Sequence, residues 1–311
     1  MTREKVTFRN KRNEQLAAYL DFPVDQWPTA YALFAHCFTC NKNLKAVNNI
    51  SRALTQKGFA VLRFDFTGLG ESEGEFSDTD FSSDVDDLVQ AYAYLEEQHE
   101  APSLLIGHSL GGAAVYLAAH QMPKLRAVAT VGAPFNPDHV TAHFQDQLPE
   151  IEQKGEATVN LGGRNFTIRQ QFVDDLRQAN LQNYIHNLRR PLLILHSPID
   201  KVVGIDNAGS IFQHAQHPKS FIALDGADHL LMQKRDSLYV GEVIASWAER
   251  YIPEATDTRS ELITEKQVVA RTGKDTLTTD VKSGRHHMLV DEPTSAGGND
   301  LGPNPYDYLA T

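Results

Sequence analysis

A serine, an aspartate and a histidine in this chain have the types and the order needed for acyl-transfer chemistry. Ser109 sits in Gly107-His108-Ser109-Leu110-Gly111, between an apolar stretch, Pro102 to Ile106, and a small-residue stretch, Gly112 to Ala119. Strand, G-x-S-x-G, helix is the nucleophile elbow. The spacing has a steric reason. A serine on so sharp a turn takes a strained backbone, and the glycines clear space where side chains would meet the neighbouring strand and helix. A serine hydroxyl is a poor nucleophile until a base, usually histidine, takes its proton, and a carboxylate fixes the tautomer of that base and steadies the imidazolium. In the elbow arrangement the chain order is Ser, then Asp or Glu, then His. Asp200 follows the apolar run Pro191 to His196, and His229 follows Ser220 to Leu224. Both therefore fall on strand-end loops at the same edge as Ser109. Taken singly, Asp200 reads equally as a cap or turn aspartate and His229 as a surface histidine; their joint placement in order selects the triad. Asp225 and Asp228 are nearer to His229 in sequence, but neighbours on one loop rarely face each other, so Asp200 ranks first as the acid.

Acyl transfer also needs two backbone donors for the developing oxyanion. Leu110 N–H, at the helix start, is one. The loop after the strand Ala30 to His36 should supply the other, and Phe38 N–H is the choice because it follows His36-Cys37 at the strand end. Cys37 and Cys40 form a C-x-x-C in that same loop, a spacing that suggests redox chemistry in a cytosolic α/β protein. Zinc is disfavoured: two cysteines are too few, and His286 and His287, adjacent on a strand, point to opposite faces. His108, His120 and His143 lack metal spacing and read as structural or exposed. No metal and no cofactor is implied.

The elements that must carry these residues follow from hydrophobic period. Lys5 to Phe8 and Glu14 to Asp21 read as strands around the turn Asn10 to Asn13. Ala30 to His36 is almost wholly apolar and reads as a strand buried on both faces. Leu44, Val47, Ile50 and Leu54 recur at helical spacing, and Gly58 ends that helix. Ala60 to Asp65 is a strand and Thr67 to Ser72 a turn-rich loop. Ser83 with Asp86 resembles a capping box ahead of a helical face of Val85, Leu88, Val89, Tyr92 and Leu95. Ala127 to Val131 is a further strand.

Residues 134–190 break this rhythm. They hold a helix-like segment with Phe144, Leu148 and Ile151, a hairpin of Ala157 to Leu161 with Arg164 to Ile168 around Gly162-Gly163, and more helix with Phe172, Leu176 and Leu181. This reads as a cap over the sheet, with Phe144, Phe166 and Phe172 as candidate walls of a substrate pocket. A last amphipathic helix carries Val240, Val243, Ile244, Trp247 and Tyr251. Strands alternating with helices imply an α/β fold with a mostly parallel central sheet, helices on both faces, and ligands beyond the carboxyl ends of the strands. From about Ile252 the character changes. Residues 253–263 read as a polar linker. Residues 264–311 read as a β extension of hairpin strands: Glu265 to Ala270, Thr276 to Val281 and His286 to Val290.

The chain has 311 residues, 41% hydrophobic and 9% aromatic, which suits a globular α/β domain with an appendage. A formal charge of −11 argues against nucleic acid or an anionic membrane as partner. The polar start Met-Thr-Arg-Glu-Lys-Val-Thr has no signal-peptide core, and no apolar run approaches a membrane span. Two cysteines are too few for a disulfide framework, and the cytoplasm is the default compartment.

On these residues the stretch 1–252 resembles the α/β-hydrolase superfamily: His36-Cys37-Phe38-Thr39-Cys40, Arg63 to Ser72, Gly107 to Gly112, Ser197 to Asp200 and Gly226 to His229. Residues 264 to 311 look like the opening of an OsmC-family domain, through Asp291-Glu292-Pro293 and Gly297 to Pro303, so the whole is similar to fused hydrolase–OsmC proteins of bacteria with the OsmC part truncated. The resemblance implies Ser109 as nucleophile, Asp200 as acid, His229 as base and Asp65 as a support of the loops. With the residues, it leads to the reading of a serine hydrolase, a carboxylesterase that cleaves small to medium acyl esters through an acyl-enzyme. Two departures stand out: His36-Cys37 replaces the usual His-Gly, and the OsmC-like part reaches Thr311 before any cysteine of its own. Apolar residues of the extension, among them Val269, Leu277, Met288, Leu289 and Val290, need a partner, either the hydrolase domain or the same extension of a second chain, and a homodimer through this extension is the favoured expectation. Two rivals remain: a redox, peroxide-handling protein using Cys37 and Cys40, and a non-catalytic hydrolase fold used for binding.

Overall fold

β1 (Thr2–Arg9) and β2 (Gln15–Phe22) pair antiparallel across the turn at Asn10 to Asn13. The computed structural model describes residues 1–24, 27–161, 163–252, 268–272, 277–284 and 286–309. β3 (Ala30–Ala35), β4 (Phe59–Phe64), β5 (Leu104–His108) and β6 (Ala127–Val131) are buried along their whole length, as their largely apolar composition requires. Beyond them lie the hairpin β7 (Glu156–Leu161) and β8 (Arg164–Arg169), then β9 (Leu192–His196) and β10 (Lys219–Ala223). One eight-stranded sheet runs β1-β2-β4-β3-β5-β6-β9-β10; the pairs β1–β2 and β2–β4 are antiparallel and the others parallel. This is the α/β-hydrolase architecture expected from the sequence.

Helices cover both faces. α1 (Lys45–Gln56), α2 (Phe81–Gln98) and α3 (Leu110–Ala118) follow β3, β4 and β5. α4 (Leu148–Lys154), α5 (Gln170–Gln178) and α6 (Leu181–His186) belong to the cap with β7, β8 and a 3-10 segment, Pro137–Gln147. α7 (Asp206–His214) lies between β9 and β10, and α8 (Lys234–Glu249) follows β10. Val47, Ile50 and Leu54 of α1 join Val240 and Ile244 of α8 in the core on one face; α2, α3, α7 and the cap build the other. Gly241 lets α1 and α8 approach, since a Cβ there would stand 2.6 Å from that of Ala53.

The structure corrects three local readings. α2 begins a turn earlier than expected: Asp80 is its N-cap, accepting from Ser83 N–H at 2.8 Å, while Ser83 Oγ accepts from Asp80 N–H, and Asp86 takes the Lys11 ammonium instead. The Ser83–Asp86 capping box is therefore replaced by Asp80–Ser83. α7 went unseen because only Ala208 and Ile211 of its nine residues are buried, too few to display a helical period. Third, β11 (Val268–Thr272), β12 (Thr279–Ser283) and β13 (His286–Val290) form a separate antiparallel sheet in which the first two strands end two residues later than their composition suggested, while the expected starts at 265–267 and 276 lie outside the described residues. The expected linker, 253–263, lies outside the described residues. After β13 the buried Asp291 carboxylate accepts N–H groups from Glu292, Asn299 and Leu301 and so closes the loop on itself.

Two loops at the carboxyl ends of β3 and β4 are tied by buried charge. Asp65 Oδ1 accepts from Lys42 N–H at 2.6 Å; Oδ2 accepts from Lys42 Nζ at 2.5 Å and Glu71 N–H at 2.9 Å. Arg63 donates to the Lys42 carbonyl and, at 2.8 Å, to Asp21. Removing one partner of a buried pair strands the other charge, at a cost of about 3–5 kcal/mol. Lys42→Met should therefore lower unfolding stability by about that much in urea titrations; a loss below about 1 kcal/mol, the level of an exposed pair, would show that the tie carries little.

Candidate active site

The elbow is built by crowding. Ser109 follows β5 at φ 56°, ψ −126° and its N–H is held by Val131 O of β6 at 2.9 Å. A Cβ on Gly107 would lie 2.5 Å from Gly111 O, one on Gly111 2.3 Å from His36 O, and one on Gly112 2.6 Å from Ala133 Cβ. Each glycine marks a close backbone approach, so strand, turn and α3 fit only without those side chains. The result is a hydroxyl presented at the carboxyl edge of the sheet.

Ser109, His229 and Asp200 lie in one hydrogen-bonded row. Ser109 Oγ stands 2.9 Å from His229 Nε2, and His229 Nδ1 stands 2.7 Å from Asp200 Oδ2. The carboxylate can only accept, so Nδ1 carries the proton and Nε2 is free to take one from the serine. Asp200 Oδ1 accepts from Val202 and Val203 N–H at 2.8 and 2.9 Å. Burial pushes the Asp200 carboxyl up, but the bonds from His229 and these two amides outweigh it and hold the group below the usual carboxylate range. His196, buried beside it, donates Nε2–H to Val203 O at 2.7 Å and is kept neutral-prone by burial. Asp228 does not reach His229's ring; its carboxylate caps Leu230 and Met232 N–H. Gly132, after β6, turns at φ +55° directly behind the pair: a Cβ there would sit 3.3 Å from His229 Nδ1 and 3.4 Å from Asp200 Oδ2.

Of the two expected oxyanion donors, Leu110 is the first residue of α3, where N–H groups have no helical acceptor. Phe38 N–H takes no hydrogen-bond partner among the described residues. The loop around Phe38 differs from expectation in one respect: Cys37 and Cys40 are joined as a disulfide, so the C-x-x-C carries no free thiol. Their closeness follows from the tight turn at Thr39, φ 59°, which composition alone did not show. Arg164 of β8 donates to Thr39 O and lies 5.3 Å over the Phe166 ring.

The three candidate pocket residues divide. Phe144 is buried in the core that the cap shares with the sheet face. Phe166 and Phe172 meet Phe38 and Phe76 in an aromatic cluster, with Phe38–Phe172 at 5.4 Å and Phe76–Phe166 at 5.0 Å between centroids. Phe76 escaped the sequence reading because it lies on a short 3-10 turn with no apolar period. A cleft of about 600 Å³ lined by Lys124, Arg126, Arg190 and Tyr251 opens at the amino ends of β6 and β9, the far side of the sheet from Ser109. The triad geometry, not that cleft, marks the site. Among the described residues no group of three or more His, Cys, Asp or Glu is arranged to hold a metal ion, and no helix is long and apolar enough to cross a membrane.

Known proteins resemble this chain in sequence and fold. The family described as serine aminopeptidase, S33, matches residues 37–161. The esterase domain from a Rhodothermus marinus protein is 52% identical, with a TM-score of 0.67, over 81% of this chain and 100% of that domain. Est1E from Butyrivibrio proteoclasticus, solved with ferulic acid, shares the fold at 20% identity and a TM-score of 0.65, over 79% of this chain and 99% of its own. The mitochondrial palmitoyl-protein thioesterase ABHD10 of Rattus norvegicus is 25% identical over 213 residues, 66% of this chain and 70% of its length.

Gly132 yields a direct test. Alanine there must hold a left-handed backbone, costing about 1–2 kcal/mol, and must push the His229–Asp200 pair by tenths of an ångström. Gly132→Ala should lower the melting temperature and cut kcat for ester hydrolysis roughly tenfold. Parental kcat in a folded Gly132→Ala protein would show that the pair tolerates displacement.

Proposed function

The chain belongs to the α/β-hydrolase superfamily, and on that premise we propose that it is a serine carboxylesterase cleaving small to medium acyl esters. The observation that carries the reading is the row Ser109–His229–Asp200, with its spacings of 2.9 and 2.7 Å. The esterase domain that is 52% identical to this chain, and the thioesterase relative, support ester or thioester cleavage.

In the proposed reaction Ser109 Oγ attacks the acyl carbonyl while His229 Nε2 takes its proton. Phe38 and Leu110 N–H hold the oxyanion of the tetrahedral intermediate, where each such donor is worth on the order of 3–4 kcal/mol. Collapse expels the alcohol or thiol, which receives the proton from His229. Water then attacks the acyl-serine, giving a proton to His229, which passes it to Ser109 Oγ as the acyl–oxygen bond breaks and the acid leaves. Asp200 keeps the imidazole in its working tautomer and balances the imidazolium. Acyl groups lie against the rings of Phe166 and Phe172, beside the Phe38 donor.

Ser109→Ala should lose on the order of 10⁶-fold in kcat with the fold intact, and Asp200→Asn on the order of 10⁴-fold. Hydrolysis of p-nitrophenyl esters and labelling by a fluorophosphonate probe measure both; full activity in Ser109→Ala would sink the mechanism. If that variant instead left a thiol-dependent peroxide consumption untouched and the parent took no label, the Cys37–Cys40 pair would replace the triad as the functional centre.

Phe166→Ala and Phe172→Ala should shift the preferred acyl length across a series of p-nitrophenyl esters and matching acyl thioesters. Should both keep the parental preference, the cluster serves only to seat the cap.

A further inference from the structure

The nucleophile and the base are carried by different strands, and one side chain spans them. His108 precedes Ser109 and is 2% exposed. Its ring centroid lies 5.2 Å from that of His229, and its Nε2 stands 2.7 Å from the main-chain oxygen of His229. A carbonyl only accepts, so Nε2 carries the proton.

The loop that bears His229 needs such a tie. It follows β10, an edge strand paired only with β9 and partly exposed along its length. Leu231 in the loop takes φ +52°, and Leu230 and Met232 beside it are exposed. Ser197 Oγ–H holds Ala227 O at 2.6 Å, two residues upstream, which fixes the loop to β9 but not to the elbow. Among the described residues, the bond from His108 is the one that joins the main chain of His229 to the strand carrying the nucleophile.

We propose that His108 is a positioning residue of the triad, its Nε2–H gripping the His229 carbonyl so that the imidazole is held in line between Ser109 and Asp200. This rests on the reading of Ser109 and His229 as nucleophile and base. One strand end then delivers two contacts to one residue: the Ser109 hydroxyl meets the imidazole, and the preceding ring meets the main chain. His229 is fixed at both ends, by Asp200 at Nδ1 and by His108 at the carbonyl.

The charge state of His108 suits the role. Burial, then the nearby charge of His229, lower its pKa to about 3, against the smaller opposing effects of its bond to His229 and of Asp200. It therefore stays neutral while His229 gains and loses a proton, and it does not add a second cation beside the imidazolium. Its Nε2 is engaged by the carbonyl, so it is neither a second base nor a relay.

Three variants in the full chain test the tie. Glutamine places an amide N–H near the position of Nε2; asparagine is polar but too short to reach; leucine fills space without a donor. His108→Gln should keep most of the parental kcat. His108→Asn and His108→Leu should each lose roughly 100-fold in kcat, as expected for a catalytic group displaced by about 1 Å, with KM unchanged. The downfield proton resonance of His229 Nδ1–H, assigned by its absence from His229→Ala, should persist in His108→Gln and broaden or vanish in the other two. Melting temperatures measured alongside separate stability from alignment. Parental kcat and an intact resonance in His108→Asn would overturn the proposal, as would a His108→Gln protein that melts normally but is as slow as His108→Asn. Should His108→Leu fail to fold, the glutamine and asparagine pair still decides. Ser109→Ala in the same assay stands apart: parental activity there defeats the esterase reading itself, whereas its loss beside an unaffected His108→Asn defeats only the tie.

Discussion

The backbone of Ser109, at φ 56° and ψ −126°, is a conformation that a residue with a side chain holds only when its surroundings impose it. Here the imposition comes from three strand ends and a helix meeting without side chains between them. Gly111 lies against the His36 carbonyl at the end of β3, Gly107 against Gly111, and Gly112 against Ala133 beyond β6. A shift in any of these would release the serine. The same contacts set everything else at the edge. The end of β3 leads into the loop of Phe38, and the turn beyond β6 puts Gly132 behind His229 and Asp200. Strain of about 1–3 kcal/mol at one residue is sustained because five neighbouring strands are wholly buried and cannot move apart.

Around this centre, buried charge fixes what apolar packing cannot. Strands lock through their hydrogen-bond ladders, but the loops after β3 and β4 have no ladder. Lys42 and Asp65 supply a substitute: the side chain and both main-chain polar groups of Lys42 are each bonded, to Asp65, Glu71 and Arg63. The Tyr19 ring adds a face to which Arg3, Lys42 and Arg63 all approach within 4.9 to 5.2 Å. Burying such ions gains little net stability over an apolar core. What it does give is direction, because each carboxylate oxygen and each donor accepts only a few geometries.

The residues now placed in one row were legible in the sequence because each follows its own apolar run. Ser109, Asp200 and His229 could be ordered without knowing the sheet order, since parallel strands put all their carboxyl ends on one edge. The buried strands were legible for the same reason, and Ala127 to Val131 matches residue for residue. Elements that depend on partners far along the chain were not. α7 shows no period because it covers the core with two residues. Phe76 joins Phe38 across 38 positions, and only the folded cap brings Phe166 and Phe172 to them. His108 was read only as structural or exposed; its partner is a main-chain oxygen 121 residues away, which no spacing rule reports.

The cap and the loop of Phe38 form a single unit, and this bears on how substrate binding reaches the chemistry. Phe172 of α5 stacks on the Phe38 ring, Arg164 of β8 holds the Thr39 carbonyl, and the Cys37–Cys40 disulfide closes the four-residue turn between them. The Phe38 ring is thus held from the cap side, and the loop that carries it is tied at Lys42 to Asp65. In the proposed reaction an acyl group seated against those rings presses on the residue whose amide meets the oxyanion. Contacts made by the non-reacting end of a substrate raise kcat only if they are stronger in the transition state, and a ring and an amide on the same residue provide that link. An acyl chain too short to touch the Phe38–Phe172 stack would forgo those contacts in the transition state, and its deficit would fall on kcat as well as on KM.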